Sequence, residues 1–439
     1  MKIKTYFIKT FGCLMNEHDS EQISFYLEDL GYKKINNYIN ADLIVLNTCA
    51  IRENVHNKVF GMLGRIKKLK EKNGNIIVGI AGCMSQEKGV QKEILSKYKW
   101  IDFVIGTHNI HELNNILENI EKEKKINMNI WDAAGKIIEN INYNRDSKYK
   151  ALVNITYGCD KFCTYCIVPY TRGKQRSRKK SDIINEVKSL IKDGYKEVTL
   201  LGQNVNSYGK DLNNNYKFED LLLDISKTGI DRIRFVTSHP WEFTDNMINV
   251  IKNNKNIMSY IHLPVQSGSD NILKKMGRRY TRKEYLNLYN KIKKEIPNVT
   301  ISTDIIVGFP NESKKDFNET IKLVKKCKFD FAYTFIYSKR EGTPAAKIDD
   351  KIALIEKEKR LAKLNKYINK YMLKSNKKML NKEVDVLIEG YSKANKNVLT
   401  GYTDTMKVVN IVGDEKYIGK IVKVKIINTK TFSLDGKVI

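Results

Sequence analysis

The 439-residue sequence lacks long hydrophobic runs and is poor in histidine and in acidic residues. No apolar stretch approaches the roughly 18–20 residues that a membrane-spanning helix needs, so no membrane partner is predicted. Lys4 and Lys9 interrupt the apolar residues near the N-terminus, so no signal peptide is expected there. We therefore expect a cytoplasmic protein, in which clustered cysteines indicate a metal site rather than disulfides.

Acidic residues are strongly outnumbered, because 50 Asp and Glu face 78 Lys and Arg, which gives a formal net charge of +28. Such an excess is typical of proteins that bind a polyanion, with nucleic acid the first candidate. A genomic bias towards lysine would give the same composition, so charge alone does not decide the partner. Hydrophobic residues make up 41% of the chain, enough for folded cores in two or three domains.

Three cysteines lie close together in the sequence: Cys159, Cys163 and Cys166, spaced C-x3-C-x2-C and called the triad below. Cubane iron–sulfur clusters are held by four thiolates, and this run supplies three with no fourth cysteine nearby. A cluster held in this way would leave one iron open to a small-molecule chelator. Zinc is the alternative, but zinc sites use four Cys or His ligands, and no histidine lies close to the run.

Three further cysteines, Cys13, Cys49 and Cys83, each follow an apolar run typical of a strand and precede a helical pattern. They are called the N-terminal set below. The carboxyl ends of parallel strands meet at one edge of a sheet, and spacings of 36 and 34 residues fit one βαβ unit per cysteine. We interpret them as ligands of a second cluster. Buried structural thiols are the alternative, and Cys327, without a partner, is interpreted in that way.

The patterning predicts an α/β protein of three domains. Residues 1–123 are expected to form a parallel α/β domain, with strands at Thr5–Ile8, Leu43–Leu46, Ile76–Ile80 and Phe103–Ile105 and helices such as Ser20–Leu30 and Val55–Lys70. Residues 145–375 are expected to form a partial (β/α)6 barrel, with strands at Leu152–Thr156, Val198–Leu201, Ile233–Val236, Tyr260–Leu263, Ile301–Val307 and Phe331–Ile336. Function is expected at the carboxyl ends of these strands.

The tail is predicted to be a small β-barrel of oligonucleotide-binding type, over residues 376–439. Its strand signals are Val384–Ile388, Val408–Val412 and Ile421–Ile427. A basic helix is predicted before it, over Asp350–Lys378, and a polar linker before the central barrel, over residues 139–150.

Motifs along nearly the whole chain resemble those of one family, the radical S-adenosylmethionine methylthiotransferases, and among them the tRNA enzymes. The matching segments are Thr10–Asn16, Asn47–Glu53, Gly82–Gln86, Tyr157–Gly173, Leu201–Tyr208, Thr237–Pro240, His262–Ser269 and Asp304–Pro310, and Gly401–Thr405 resembles the TRAM RNA-binding domain. The sequence departs from the family pattern at Ser85, Asn311, Tyr402 and Met406, none of which is a cysteine.

The resemblance implies an enzyme with two 4Fe–4S clusters, an auxiliary cluster on the N-terminal set and a radical-generating cluster on the triad. The family enzyme converts N6-isopentenyladenosine, beside the tRNA anticodon, to its 2-methylthio derivative. One S-adenosylmethionine would methylate a sulfur associated with the auxiliary cluster, and a second would give the 5′-deoxyadenosyl radical that removes hydrogen from carbon 2 of the adenine. Radical chemistry is needed because that carbon has no acidic proton for a base to remove.

The resemblance also implies further site residues and partners. Tyr165 matches the family aromatic beside the cofactor adenine, and Gly308 and Glu312 are expected to shape the S-adenosylmethionine pocket. A packing tyrosine and a plain turn are the alternatives. Expected partners are the prenylated tRNA and a reductant protein such as flavodoxin or ferredoxin, and the enzyme is expected to be a monomer.

Other interpretations stay open from the sequence. The basic run Arg172–Lys180 is either a solvated face or a grip on RNA phosphate, whereas His239 and His262 are interpreted as hydrogen-bonded structural residues. One alternative function is a sister methylthiotransferase acting on threonylcarbamoyladenosine or on a ribosomal-protein aspartate. Another is a non-catalytic iron–sulfur protein that binds RNA and does not cleave S-adenosylmethionine.

Overall fold

The computed structural model of the protein describes residues 3–50, 53–123, 127–131, 135, 137, 143–213, 215–393 and 395–439. The chain divides into two compact units. The first consists of Met1–Asp146, Thr156–Arg178 and Ser338–Ala346, and the second of Ser147–Ile155, Lys179–Tyr337 and Lys347–Ile439. The N-terminal set and the triad therefore belong to the same compact unit. The predicted linker falls partly on residues 139–142, which lie outside the described residues.

The first unit is built on a six-stranded parallel sheet of order β2-β1-β3-β4-β5-β6. Strands and helices are numbered along the chain: β1 (Thr5–Thr10), β2 (Lys33–Lys34), β3 (Leu43–Thr48), β4 (Ile77–Gly82), β5 (Phe103–Ile105), β6 (Asn127–Asn129), α1 (Leu14–Asp29), α2 (Glu53–Lys72), α3 (Lys88–Lys97) and α4 (Leu113–Glu123). Every residue of β3 is buried, as its unbroken apolar run indicates for a central parallel strand.

The predicted strands of this sheet are confirmed, and two short ones were missed because they have no apolar pattern. They are β2, which is two lysines, and β6, which is Asn-Met-Asn. Helix α1 begins six residues before the predicted start, because Cys13 and Asn16 form a capping box at its N-terminus.

The second unit contains the six predicted barrel strands, each within two residues of its expected bounds. They are β7 (Lys150–Asn154), β10 (Glu197–Leu201), β11 (Arg232–Phe235), β12 (Tyr260–His262), β13 (Thr300–Val307) and β14 (Phe331–Ile336). They form two parallel three-stranded sheets, β7-β10-β11 and β12-β13-β14. A single parallel bridge between Ile233 and Ile257 joins the two sheets into an open barrel.

Helices cover the outside of this barrel, and their apolar faces share its core. They are α6 (Lys180–Lys192), α7 (Phe218–Ser226), α8 (Asp245–Asn253), α9 (Asp270–Lys275), α10 (Arg282–Glu295), α11 (Lys314–Cys327) and α12 (Leu354–Lys377). The basic helix α12 buries Leu364, Ile368 and Met372 in this core, so it belongs structurally to the barrel.

The tail forms the predicted small barrel, closed in the order β15-β16-β17-β19-β18. Its strands are β15 (Glu383–Tyr391), β16 (Leu399–Thr403), β17 (Val408–Ile411), β18 (Ile421–Thr429) and β19 (Leu434–Val438), of which β16 and β19 were not predicted. The guanidinium of Arg232, at the start of β11, donates to the carbonyls of Tyr402 and Asp385, both at 2.9 Å. These bonds attach the small barrel to the amino-terminal end of the larger one.

In the described part of the chain, no helix combines the length and the apolar character that crossing a membrane requires.

The packing of β4 against β5 predicts a clear stability difference between two glycine substitutions. A Cβ on Gly79 would lie 2.0 Å from the buried ring of Phe103, so Gly79→Ala should destabilise the protein by about 1–3 kcal/mol through overpacking. Gly64 in α2 is exposed and has no atom within 4 Å of its Cβ position, so Gly64→Ala should stabilise by about 0.4–1 kcal/mol. Thermal denaturation of the metal-free proteins measures both; equal melting temperatures would contradict this packing.

Candidate functional site

The N-terminal set lies at the carboxyl edge of the first sheet, as predicted. Cys13 follows β1 and caps α1 in an extended conformation, with φ −103° and ψ 178°. Cys49 and Cys83 directly follow β3 and β4, and both are buried, whereas Cys13 is half-buried. Because β1 lies between β2 and β3, the chain changes direction along the sheet here, which is where open α/β sheets bind ligands.

Two buried amides hold this edge together. The side-chain amide of Asn47 donates to the carbonyl of Asn16 at 2.7 Å and to the hydroxyl of Ser20 at 2.8 Å. The side-chain amide of Asn16 donates in return to Asn47 Oδ1 at 3.3 Å and to the carbonyl of Thr48 at 3.2 Å. Asn16 Oδ1 also accepts the Cys13 backbone N–H at 3.3 Å and its thiol at 3.5 Å. The start of α1, with Cys13, is thereby fixed against the end of β3.

Glycines let the three junctions approach each other. Gly82 has φ +97°, and a Cβ there would lie 2.4 Å from both Asn47 Oδ1 and the carbonyl oxygen of Thr48. A Cβ on Gly12 would lie 2.9 Å from the Cβ of Cys49. Any side chain at either position would push the cysteine-bearing turns apart.

The environment favours the thiolate at one of the three cysteines. A hydrogen bond from the Cys49 thiol lowers the pKa of Cys13 to about 6, and the positive charge of Arg172 acts in the same direction against burial. Burial raises the pKa of Cys83 despite the nearby Arg172. Among the described residues, no three His, Cys, Asp or Glu side chains converge on a point that would suit one metal ion. A cubane offers a separate iron to each thiolate, and the N-terminal set stays a predicted ligand set for one.

Arg172 is the main residue of this site that the sequence did not reveal. Its Nε–H donates to Cys83 Sγ at 3.1 Å, and its Nη2 donates to Asp19 Oδ2 at 2.6 Å. Burial by itself lowers the pKa of Arg172, but Asp19 and Cys83 raise it above its usual value. The one sequence feature that could have indicated a buried arginine here was Asp19, an acidic residue on the helix that Cys13 caps.

The interpretation of Arg172–Lys180 as a solvated or phosphate-binding face is wrong for two of its residues. Arg172 is 4% exposed and Arg178 is 5% exposed. Lys174, Lys179 and Lys180 do lie on the surface. The basic run Arg172–Lys180 therefore contains both exposed lysines and buried arginines.

The triad lies on a loop whose two ends pair with each other. Strand β8 (Thr156–Tyr157) pairs antiparallel with β9 (Arg176–Ser177), and the short helix α5 (Val168–Arg172) lies inside the loop. Gly158 has φ +68°, and a Cβ there would lie 2.1 Å from the carbonyl oxygen of Lys174, so the neck of the loop admits only glycine.

Within this loop the sulfurs are partly protected from solvent. Cys159 and Cys163 are each 8% exposed, and Cys166 is half-buried. The Lys161 N–H donates to Cys159 Sγ at 3.4 Å, and the Cys166 N–H donates to the Cys163 carbonyl at 2.9 Å. Burial raises the pKa of the Cys159 thiol to about 11, so a bound cation is needed to hold this thiolate near neutral pH.

The two cysteine sets meet through α5. Ile167, at the start of α5, packs with Ala50 and Cys83 in a small apolar cluster. The Thr107 hydroxyl donates to the carbonyl of Thr171 at 2.7 Å. Tyr165 is half-buried, and its contact with a cofactor stays a prediction.

In the second unit, Gly308 and Glu312 form a buried turn after β13. The Gly308 N–H donates to Glu312 Oε2 at 2.9 Å, and Arg360 Nη1 donates to the same oxygen at 2.7 Å. Burial raises the pKa of Glu312 in spite of these donors. Its other oxygen, Oε1, is buried and has no hydrogen-bond partner in the described part of the chain. The turn thus offers one unused acceptor, and its role towards a cofactor stays a prediction.

The carboxyl ends of β11 and β12 lead into strained turns with unused polar groups. Thr237 and Gln266 are not glycines, yet have φ of 66° and 68°. The buried Ser238 Oγ and Gln266 Oε1 have no hydrogen-bond partner among the described residues. Strain and unsatisfied polar atoms together are typical of a site built for a polar ligand.

The two histidines of this region are hydrogen-bonded, as the structural interpretation expects. His262 Nδ1 lies 2.8 Å from Ser302 Oγ, and its Nε2 lies 3.3 Å from Asp304 Oδ2. His239 Nδ1 accepts the Trp241 N–H at 3.4 Å.

Comparison with known proteins identifies the family. Residues 5–106 match the "Uncharacterized protein family UPF0004", residues 153–324 the Radical SAM superfamily and residues 377–439 the TRAM domain. A tRNA-2-methylthio-N(6)-dimethylallyladenosine synthase of Staphylococcus epidermidis is 53% identical over 99% of this chain and 85% of that protein. One of the same name from Bacillus cytotoxicus is 52% identical over 100% of this chain and 86% of its own. The chain belongs to this family.

Membership of this family confirms the resemblance that was drawn from the motifs, and it also confirms the predicted fold class. A radical SAM enzyme uses a 4Fe–4S cluster and S-adenosylmethionine, and the family has both as cofactors.

Solved structures agree on the fold. The radical S-adenosylmethionine methyltransferase TsrM from Kitasatospora setae has a TM-score of 0.56 at 11% identity, covering 79% of this chain and 75% of that one. The cobalamin-dependent S-adenosylmethionine radical enzyme OxsB has a TM-score of 0.53 at 13% identity, covering 84% of this chain and 56% of that one. At such identities the likeness concerns the fold alone.

Proposed function

We propose that this protein adds a methylthio group to carbon 2 of N6-dimethylallyladenosine beside the tRNA anticodon. The observation that carries the proposal is the likeness, over 99% of the chain, to a synthase named for that product. The two sets of three cysteines in one compact unit support it, because a methylthiotransferase needs one site for radical formation and another for sulfur.

The triad would hold the cluster that binds S-adenosylmethionine, and the N-terminal set would hold an auxiliary cluster. When bound, these groups supply a 5′-deoxyadenosyl radical and the sulfur to be transferred. The chain itself would shield and orient them. Burial of Cys159 and Cys163 limits water at the first site, and the Asn16–Asn47 pair fixes the turns of the second.

The turns at the carboxyl ends of the barrel strands would bind the cofactor. Ser238 Oγ, Gln266 Oε1 and Glu312 Oε1 are among the buried polar atoms there that have no hydrogen-bond partner in the described part of the chain. A ligand that carries amino and hydroxyl groups, as S-adenosylmethionine does, would satisfy them.

Substrate choice gives the direct test of this function. Protein reconstituted with iron and sulfide, with reductant and S-adenosylmethionine, should add methylthio to tRNA that carries dimethylallyladenosine, and little to unmodified tRNA. Transfer of the prenyl tail into an apolar pocket gains ~25 cal/mol per Å² of apolar surface, which favours the prenylated form. Mass spectrometry of the tRNA nucleosides measures the product.

The same experiment separates the alternatives. Activity confined to threonylcarbamoyl-modified tRNA would assign the protein to the sister reaction. Iron-loaded protein that binds tRNA but releases no 5′-deoxyadenosine would be a non-catalytic RNA-binding protein.

Iron content tests the two cysteine sites. Two cubanes require about eight iron atoms per chain, and replacing either the triad or the N-terminal set by alanine should leave about half. Loss of the triad should also abolish 5′-deoxyadenosine formation, whereas loss of the N-terminal set should leave some. Cys327, buried at the end of α11, is the matched control, and Cys327→Ala should keep all the iron. Full iron after loss of the N-terminal set would contradict the auxiliary site.

The small β-barrel presents a basic face that we assign to tRNA. Lys423 and Lys425 on β18 and Lys437 on β19 are all exposed, and Lys425 lies directly opposite Lys437 in the antiparallel pair. Across the β15–β18 pair, Lys425 also faces Glu383 and Lys423 faces Asp385. The like-charged pair of Lys425 and Lys437, which is unfavourable in a sheet by itself, is the feature that favours a polyanionic partner.

Replacing these three lysines by glutamine should weaken tRNA binding without loss of either cluster. Because phosphate contacts release counterions, log affinity falls with log salt, and this negative slope should become less steep by about 2–3 for three lost contacts. Arg65, Lys68 and Lys72, exposed on α2, are the control set of equal charge. Binding curves at several salt concentrations measure the slopes; an equal loss in the control set would show that bulk charge, not this face, binds tRNA.

A further inference from the structure

We propose that Arg172 is a positioning residue that raises the reduction potential of the auxiliary cluster through its bond to the Cys83 sulfur. The inference rests on the proposed function, because it requires a cluster on the N-terminal set. It assigns to a residue of the triad loop a direct effect on the other cysteine site.

The geometry that carries the inference is a two-way contact. Arg172 is the last residue of α5, six positions after Cys166, and its Nε–H donates to Cys83 Sγ at 3.1 Å. The other arm of its guanidinium donates to Asp19 Oδ2 at 2.6 Å. The planar fork of arginine presents several donors at fixed angles, so it can hold a sulfur and a carboxylate at once, which a lysine cannot do as well.

Burial makes this contact electrostatically strong. The side chains of Arg172 and Asp19 are each 5% exposed, and Cys83 is 4% exposed. With Arg172 removed, the buried Asp19 carboxylate and a Cys83 thiolate would both lose the guanidinium that donates to them. The arginine therefore compensates two anions, one of them a predicted cluster ligand.

This charge should act on the redox equilibrium of the cluster. Reduction adds one negative charge to a cluster, and a hydrogen bond or positive charge at a ligand sulfur stabilises the reduced form more than the oxidised one. Arg172 therefore raises the potential, and Asp19 lowers it by offsetting part of the arginine's charge. A residue that only ties the loop to the sheet would give no such opposite effects.

The test uses a parent in which the triad is replaced by alanine, so that the chain holds the auxiliary cluster alone. Arg172→Gln, Arg172→Lys and Asp19→Asn are made in this parent. Lys70→Gln is the control, because Lys70 forms an ion pair with Asp102, which precedes β5 at the opposite edge of the same sheet. Iron per chain is measured first, and the midpoint potential then follows from a redox titration monitored by electron paramagnetic resonance.

If the variants keep their iron, we expect their midpoint potentials to shift in opposite directions. The potential should fall in Arg172→Gln, recover in part in Arg172→Lys, rise in Asp19→Asn and stay unchanged in Lys70→Gln. Unchanged potentials in both Arg172→Gln and Asp19→Asn would overturn the inference.

Two further outcomes are distinguishable. If Arg172→Gln loses its iron, Asp19→Asn alone decides, and an unchanged or lowered potential there overturns the inference. If the parent itself binds no iron, the auxiliary site of the proposed function is wrong, and the inference falls with it.

Discussion

The hydrogen bonds that the buried side-chain amides of Asn16 and Asn47 make across the sheet edge are the constraint on which the rest of the site depends. They join the first turn of α1 to the end of β3, and so place Cys13 beside Cys49. Each amide uses a donor and an acceptor inside the protein, where an unpaired polar group costs about 1–3 kcal/mol. Loss of one amide would therefore affect the stability of the sheet and the position of the thiols together.

The triad loop belongs to the first compact unit because its residues contact the sheet of that unit. Ile167 packs against Cys83, Thr171 accepts a bond from Thr107, and Arg172 reaches Cys83 and Asp19. The loop is thus fixed by the sheet edge that carries the other three cysteines. In the second unit, the unsatisfied groups at Ser238, Gln266 and Glu312 mark the edge that we assign to the cofactor.

Sequence patterns predicted the elements with strong apolar runs, such as β3 and β13, and the junctions that carry Cys13, Cys49 and Cys83. They missed β2 and β6 because an edge strand of lysines or asparagines is formed by pairing with its neighbour, not by its own hydrophobicity. They misjudged Arg172 because charge in a sequence does not reveal burial. The hydrogen-bond partners of that buried arginine, Asp19 and Cys83, lie 153 and 89 residues away.

The Arg172–Asp19 ion pair also bears on how the chain can be divided. Two different families match residues 5–106 and residues 153–324, yet this buried ion pair joins one segment to the other. Removing one partner of a buried pair costs about 3–5 kcal/mol, because the remaining charge stays desolvated. A fragment that ends before the triad loop would therefore keep Asp19 without its guanidinium partner, and should be less stable than the same sheet in the whole chain. In this protein the segments matched by separate families and the compact units of the structure do not coincide.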